Sequence, residues 1–324
     1  MTLTKETLQR ALEARAGLIE ELHSEVTNCY RLFHGAAEGR PGLTIDRYGS
    51  VLLAQTWDRP LDPDELSVFR DAAKDLTPVH NHRTKPVNFD AHFPMEPIEV
   101  LGEELGTVFD VSPRHRGEDP LVFLDFRAAR RRVRLESRDR AVLNLFAYTC
   151  TMGQVAHSMG ASSVLNVDFA TSSLAVGRAN VPRNHPGTGS IEFFQSDCLA
   201  ALWQLAGREL PRRRGQSPYI APQTFDLIVL DPPRLSKGRF GTVDVVRDYG
   251  SLLKPCVQIC RPGGVILATN HVPSVPLEDW LKAVRRTTEK AGRAIQDLEV
   301  ILPESDFPSF DGRHPLKMAW ITLD

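Results

Sequence analysis

The spacing of apolar and polar residues divides the chain into two differently patterned regions. Between Leu8 and Leu22, apolar side chains recur at three- and four-residue intervals, which predicts an amphipathic helix. Two strands are predicted next, at 42–49 and 51–55, because alternating segments flank a Tyr-Gly-Ser turn. Short strands are also predicted near 98–101 and 106–111. We therefore predict a small α+β domain over residues 1–112, headed by one helix.

From about residue 140, short apolar runs alternate with amphipathic stretches. Five β/α alternations indicate a parallel, doubly wound sheet, and two more strands close it, so residues 113–324 are predicted to form a seven-stranded α/β domain. The predicted strands are 141–146, 163–168, 192–195, 225–230, 265–269, 294–302 and 317–323, and the helices begin near 153, 172, 199, 245 and 277.

Composition excludes several protein classes. With 42% apolar and 25% charged residues, the chain is typical of soluble globular proteins. No apolar run approaches the roughly 18 residues that span a bilayer, and the first residues lack the apolar core of a signal peptide. We therefore expect a cytoplasmic protein without membrane contact. The five cysteines include no CxxC pair or zinc-spaced cluster, so no metal is expected.

Charge is distributed unevenly along the chain. Acidic residues predominate before residue 112, and basic residues predominate after it. Arginines cluster at 127–140 and again at 208–214. Such clusters are suited to contact phosphates, although a solvated helix face and a basic loop explain them equally well.

Three predicted strands end in an acidic residue: Asp168, Asp197 and Asp231. In an open α/β sheet, ligands bind beyond the carboxyl ends of the strands. Asp168 lies about 20 residues after the first βα turn, where a carboxylate accepts hydrogen bonds from ribose hydroxyls. Asp197 is placed to meet an adenine amino group. Helix capping is the alternative role for each carboxylate alone.

The first βα turn separates two classes of cofactor. Dinucleotide-binding enzymes carry GxGxxG there, because the pyrophosphate must approach the backbone closely. This chain has a single glycine, Gly153, in the turn that starts at Asn144. NAD is therefore disfavoured. S-adenosylmethionine has no phosphate, so a turn of hydroxyls, aromatic rings and backbone amides is sufficient to hold it.

Several motifs, in their residues and in their order along the chain, resemble those of the bacterial 23S ribosomal RNA methyltransferases of the RlmI and RlmK type. The resemblance spans about residues 31–324 and implies a Rossmann-like class I methyltransferase domain that uses S-adenosylmethionine. Its motifs are His34-Gly35, Pro41-Gly42-Leu43, Asp46 to Gly49, Phe123 to Arg127 with Ala128-Ala129-Arg130, Asn144 to Thr149, Phe225 to Pro233, Arg247-Asp248-Tyr249 and Arg261 to Gly264.

The resemblance also implies which residues form the site. The implied catalytic residues are those of the Asp231-Pro232-Pro233 turn, which offers rigid carbonyl acceptors for a base, and Asn270. The implied cofactor-binding residues are Asn144, Phe146, Ala147, Tyr148, Thr149, Asp168, Phe169, Asp197, Cys198, Asp231 and Arg127.

The residues after the Asp231-Pro232-Pro233 turn and after the fifth strand indicate which atom is methylated. Arg234 stands where exocyclic-amine methyltransferases usually have an aromatic residue, which disfavours amine methylation. Methylation at cytosine C5 requires a cysteine nucleophile. RlmI-type enzymes have this cysteine after the fifth strand. This chain has Asn270 there, and RlmK-type enzymes also have an asparagine at that place. Cys198 carries no sign of activation. Guanine N7 needs only placement against the sulfonium methyl and is favoured.

The expected partner is therefore RNA, with 23S ribosomal RNA favoured. Cytosine C5 remains the alternative target atom, a protein or small molecule the alternative substrate, and noncatalytic RNA binding the alternative function. The sequence does not predict an oligomeric state.

Overall fold

The computed structural model describes residues 2–84, 88–90, 92–93, 98, 100–114, 120–184, 187–210, 218–238 and 241–324. It divides into two compact units, of which the first comprises Met1–Arg127 with Pro303–Arg313, and the second Ala128–Leu302 with His314–Asp324. The division differs from the predicted boundary at residue 112. A segment near the C-terminus belongs to the first unit, although it contains no helix or strand that patterning would reveal.

The first unit is built on a five-stranded sheet with the strand order β1-β2-β3-β4-β5 and a separate β6-β7 hairpin. The predicted helix and the predicted strand pair β2 and β3 are confirmed, whereas α2, β1 and β4 were not predicted. The elements are α1 (Lys5–Ser24), β1 (Cys29–His34), β2 (Leu43–Tyr48), β3 (Val51–Thr56), α2 (Pro63–Ala73), β4 (Thr77–His82), β5 (Asn88–Phe89), β6 (Val100–Glu104) and β7 (Thr107–Val111).

A buried carboxylate, Glu65 of α2, joins three parts of the first unit. Its side chain is fully enclosed and pairs with Arg40 Nε at 2.8 Å and Arg59 Nη1 at 2.7 Å. It also accepts a hydrogen bond from the backbone N–H of Leu3 at 2.9 Å. Burial alone would raise the pKa of Glu65, but these donors lower it from 4.5 to about 2. The ionised form is therefore the one the fold stabilises.

We expect Glu65→Gln to lower the free energy of unfolding by about 3 kcal/mol at neutral pH, since the buried Arg40 would lose its carboxylate. A lowered pKa stabilises the fold above the unfolded value near 4.5 and loses that contribution as the pH falls towards 2. Urea unfolding from pH 7 to pH 3 checks this. The wild-type advantage should stay constant above about pH 5.5 and shrink below it; a pH-independent difference would contradict the assignment.

The second unit contains the seven-stranded sheet, with the order β10-β9-β8-β11-β14-β16-β15. The strands β10, β9, β8, β11 and β14 run parallel, and β16 is antiparallel to both β14 and β15. The elements are α3 (Arg127–Glu136), β8 (Ala141–Leu145), α4 (Thr151–Ser158), β9 (Ser163–Asp168), α5 (Thr171–Asn180), β10 (Ser190–Gln195), α6 (Cys198–Leu205), β11 (Phe225–Leu230), β12 (Leu235–Gly238), β13 (Gly241–Asp244), α7 (Val245–Ile259), β14 (Cys260–Asn270), α8 (Leu277–Lys290), β15 (Ile295–Ile301) and β16 (Lys317–Leu323).

This topology confirms the predicted fold class. The strands β8, β9 and β10 extend one way from the centre of the sheet, and β11 and β14 extend the other way. The strand order therefore reverses between β8 and β11, and ligands of open α/β sheets bind at the carboxyl ends beside such a reversal. The core of this unit packs apolar side chains of the sheet against α6, α7 and α8.

Two further observations concern the described residues only. None of their helices is long and apolar enough to cross a membrane. They also contain no group of three or more His, Cys, Asp or Glu side chains arranged to hold a metal ion. The predicted basic run at Arg212–Arg214 lies outside the described residues.

Candidate functional site

The turn after β8 has an unusual backbone. Phe146, Tyr148 and Cys150 have φ values of 55°, 49° and 62°, in the left-handed region that non-glycine residues rarely adopt. Such residues persist only where the surroundings fix them, and they concentrate at functional sites. Here the N–H of Ala147 donates to Val167 O at 3.0 Å, and the N–H of Phe146 to Cys198 Sγ at 3.3 Å. These hydrogen bonds hold the turn against the carboxyl end of β9 and the start of α6.

Asp168, at the end of β9, holds this turn through a hydrogen bond. Its side chain accepts hydrogen bonds from the N–H groups of Tyr148, at 2.9 Å, and Ala170, at 2.8 Å. The residue is only 6% exposed. Each carboxylate oxygen retains a further lone pair, so the same group can still accept hydrogen bonds from a ligand.

The single glycine of the turn has a packing role. Gly153 lies in α4, and a side chain there would collide with the Asn166 carboxamide oxygen. That oxygen also accepts a hydrogen bond from Asn144 Nδ2 at 2.9 Å. Asn144 is 3% exposed. Asn144 therefore fixes the floor beneath the turn, and its partner Asn166, on β9, was not among the predicted site residues.

Asp197 caps α6 and lies against a hairpin that the sequence did not predict. Its Oδ1 accepts a hydrogen bond from the N–H of Leu199 at 2.9 Å. The hairpin pairs β12 with β13, directly after the Asp231-Pro232-Pro233 turn. A methyl group on Gly238 would collide with Asp197 Oδ2, so only a glycine permits this close approach. The hairpin thus extends from the end of β11 to the end of β10.

Phe169 presents an aromatic ring at the same edge of the sheet. It follows Asp168 directly and is 72% exposed. Its backbone carbonyl accepts a hydrogen bond from Gln195 Nε2 at 3.3 Å, which restrains the main chain but leaves the ring free. A flat heteroaromatic group stacks favourably on such a ring.

The ends of β11 and β14 form a second polar group. Thr269 donates its hydroxyl hydrogen to Asp231 Oδ1, and His271 Nδ1 lies 3.9 Å from the same oxygen. Burial raises the pKa of Asp231, against the opposing effects of His271 and the Thr269 hydroxyl. Asn270 is 1% exposed, and its carboxamide oxygen accepts the N–H of Val272 at 2.9 Å. Asn270 thus caps the turn that follows β14.

The five cysteines are all buried. Burial raises the pKa of Cys260 to about 12 and raises that of Cys198 well above its ordinary value. Burial likewise raises the pKa of Cys150 and Cys256. Cys198 also donates to Val167 O at 3.5 Å. A neutral, enclosed thiol is a poor nucleophile.

Arg127 is the first residue of α3, but it belongs to the first unit, whereas the strand ends belong to the second. Its guanidinium is about 1% exposed and pairs with Glu304 at 2.6 Å and Asp306 at 2.6 Å. It also donates to Cys29 O at 3.0 Å. Burial lowers and these carboxylates raise the pKa of Arg127, and the net effect is a rise. These contacts occupy the side chain within the first unit, so we leave Arg127 out of the cofactor pocket proposed below.

Acidic residues lie at the ends of β9, β10 and β11, at the carboxyl edge of this seven-stranded sheet, an arrangement suited to a nucleoside-containing ligand. A family described as S-adenosylmethionine-dependent methyltransferase matches residues 30–319. The chain therefore belongs to this family, and the predicted enzyme class and cofactor are confirmed.

Individual relatives agree with the family match. Ribosomal RNA large subunit methyltransferase I of Aeromonas hydrophila is 29% identical over 315 residues, covering 93% of this chain and 75% of that protein. This agrees with the resemblance to ribosomal RNA methyltransferases in the sequence. A methyltransferase solved with SAH superposes with a TM-score of 0.81 at 23% identity, covering 98% of this chain and 80% of that one. A methyltransferase from Streptococcus mutans superposes with a TM-score of 0.78 at 22% identity, covering 99% of this chain and 82% of that one.

The residues at the strand ends fit S-adenosylmethionine chemically. The cofactor presents ribose hydroxyls and an adenine amino group as donors, and a flat adenine ring. The carboxylates of Asp168 and Asp197 are matching acceptors, and Phe169 offers an exposed face for stacking. The close contact between Gly238 and Asp197 makes one side of this fit testable.

We expect Gly238→Ala to weaken S-adenosylmethionine binding about 10-fold, because the added methyl group would displace the Asp197 carboxylate and cost about one hydrogen bond. Thr242→Ala, at an exposed position on the partner strand of the hairpin, is the matched control and should change the affinity less than twofold. Titration calorimetry measures both. Equal affinities for the two variants would refute the assignment of Asp197 to the cofactor.

Proposed function

We propose that the protein methylates a base of large-subunit ribosomal RNA, and that the methylated atom is guanine N7. The proposal rests on one observation above all. The acceptor-rich turn Asp231-Pro232-Pro233 lies beside strand ends that fit the methyl donor, and every described cysteine is buried. The ribosomal RNA substrate is suggested by the Aeromonas hydrophila relative and its homologues.

On the cofactor side, each residue has a distinct part. Asp168 and Asp197 accept hydrogen bonds from ribose and adenine, and Phe169 stacks on the adenine. The left-handed turn from Phe146 to Thr149 is held rigid by the contacts of Ala147 and Asp168, which fixes the position of the bound methionine portion. Cys198 supports the turn through Phe146. When bound, S-adenosylmethionine supplies an electrophilic methyl group on sulfur.

On the substrate side, the turn after β11 holds the base. Guanine presents N1–H and N2–H₂ donors next to each other, and these match the Asp231 carboxylate and the carbonyl groups of Pro232 and Pro233. Two prolines fix φ and keep these acceptors in place. Asn270 orders the loop after β14 beside them. Nitrogen 7 already carries a lone pair, so the residues need to orient the base but not to remove a proton.

Cytosine C5 is the second candidate atom, because the RlmI type, which the motifs of this chain resemble as well, carries a cysteine after its fifth strand. Methylation at C5 needs a thiolate that adds to the neighbouring ring carbon. Cys198 contacts the proposed pocket through the N–H of Phe146, but burial raises its pKa far above the usual range. This argues for guanine N7.

Mass spectrometry of ribosomal RNA nucleosides from a strain lacking the gene tests the target. We expect one 7-methylguanosine to disappear and to return with the wild-type gene. The Cys198→Ser gene should also restore it, because the proposed reaction uses no thiolate. Loss of 5-methylcytidine instead, not restored by Cys198→Ser, would establish the cytosine route; unchanged nucleosides would favour a substrate other than ribosomal RNA.

A further inference from the structure

A cleft of about 430 Å³ lies between α7 and α8 in the second unit, apart from the proposed cofactor pocket. Its walls include Tyr249 of α7 and Trp280 of α8, whose rings meet edge to face with centroids 5.8 Å apart. Its floor is Asn270, at the end of β14. The size is sufficient for a small polar group with part of its attached chain.

The floor of the cleft carries an unsatisfied donor. The Asn270 carboxamide oxygen is bonded to the N–H of Val272, but the buried Nδ2 has no hydrogen-bond partner among the described residues. A buried donor without an acceptor is costly, and native structures usually supply a partner. Asn270 is one of the residues that line the cleft, so this donor lies directly beneath the space that a ligand with an acceptor oxygen would occupy.

The rim of the cleft is strongly basic. Its lining contains four cations and one carboxylate, Asp279, which already pairs with Lys282 at 3.2 Å. Within the described part of the chain, none of the four cations forms an ion pair. They are exposed and so able to reach a ligand: Arg247, Lys254, Arg286 and Lys290.

We propose that this cleft binds a phosphodiester group of the RNA, which deepens and rests on the proposed function. Phosphate oxygens satisfy both the donor at the floor and the cations at the rim. Asn270 follows Thr269, whose hydroxyl is bonded to Asp231. A phosphate held in the cleft therefore belongs to a nucleotide next to the target base, and it sets the position of that base on the Asp231-Pro232-Pro233 turn.

The double variant Arg286→Gln/Lys290→Gln tests the cleft. Arg285→Gln/Lys74→Gln removes the same charge at exposed positions that do not line the cleft, one on the same helix and one directly after α2. The probe is a fluorescein-labelled single-stranded RNA of about 16 nucleotides, and its affinity is measured by anisotropy across a salt series. We expect the cleft variant to bind about 10-fold more weakly, with a log–log salt slope reduced by roughly 1.4–1.8. The control should change less than twofold.

Equal losses in the two double variants, or no loss in the cleft variant, would overturn the proposal. Calorimetry with inorganic phosphate addresses a free anion as the ligand: phosphate binding that the cleft variant loses, while RNA affinity stays unchanged, would also overturn it. S-adenosylmethionine affinity should be the same in all three proteins. If the wild-type protein does not methylate ribosomal RNA but its RNA binding still depends on the cleft, the proposed function fails and the cleft assignment stands.

Discussion

Asp168→Ala should weaken S-adenosylmethionine binding by about 100-fold or more. The carboxylate is proposed to accept two ribose hydrogen bonds, and bonds to a charged group contribute about 1.5–3 kcal/mol each. It also accepts the N–H groups of Tyr148 and Ala170, so its loss frees the left-handed turn as well. Titration calorimetry measures the dissociation constant directly.

Two variants serve as controls for Asp168. Asp168→Asn keeps one acceptor oxygen and should lose about 10-fold in affinity. Asp297→Ala removes an exposed carboxylate from β15 in the same unit and should leave the affinity unchanged. Thermal unfolding shows whether each variant is folded. A folded Asp168→Ala protein with wild-type affinity would exclude the proposed cofactor pocket.

Asp231→Ala should reduce kcat by about 100-fold or more, since a missing preorganised group at the reacting base typically costs that much. Thr269→Val, which removes only the hydroxyl that donates to Asp231, should reduce kcat by about 10-fold or less. Steady-state kinetics with tritiated methyl donor and ribosomal RNA measures both. A larger loss in Thr269→Val than in Asp231→Ala would show that Thr269, and not the carboxylate, contacts the base.

The strands of the second unit were predictable because buried parallel strands are short apolar runs bounded by turn residues. The predicted bounds of β9, β11 and β16 coincide with those observed. The acidic strand ends could be predicted for the same reason, since the end of a strand is also the end of its apolar run. In the first unit, α2 was missed although its signal was present: Asp62 and Glu65 form a capping box around Pro63.

Other features depend on contacts between distant residues. The β12-β13 hairpin has no clear alternation, and its meaning comes from the contact between Gly238 and Asp197. Arg127 belongs to a motif that resembles a cofactor-binding segment, yet its observed partners Glu304 and Asp306 lie far along the chain. The cleft between α7 and α8 likewise joins residues that no local pattern connects. Such contacts become visible only once the chain is folded.

The most direct test of the central claim is a reaction with purified components. The protein is incubated with methyl-deuterated S-adenosylmethionine and large-subunit ribosomal RNA from a strain lacking the gene, and the digested nucleosides are analysed by mass spectrometry. We predict deuterated 7-methylguanosine, formed about 100-fold more slowly, or slower still, by Asp231→Ala. Deuterium in 5-methylcytidine, or no label in the RNA, would contradict the proposed reaction.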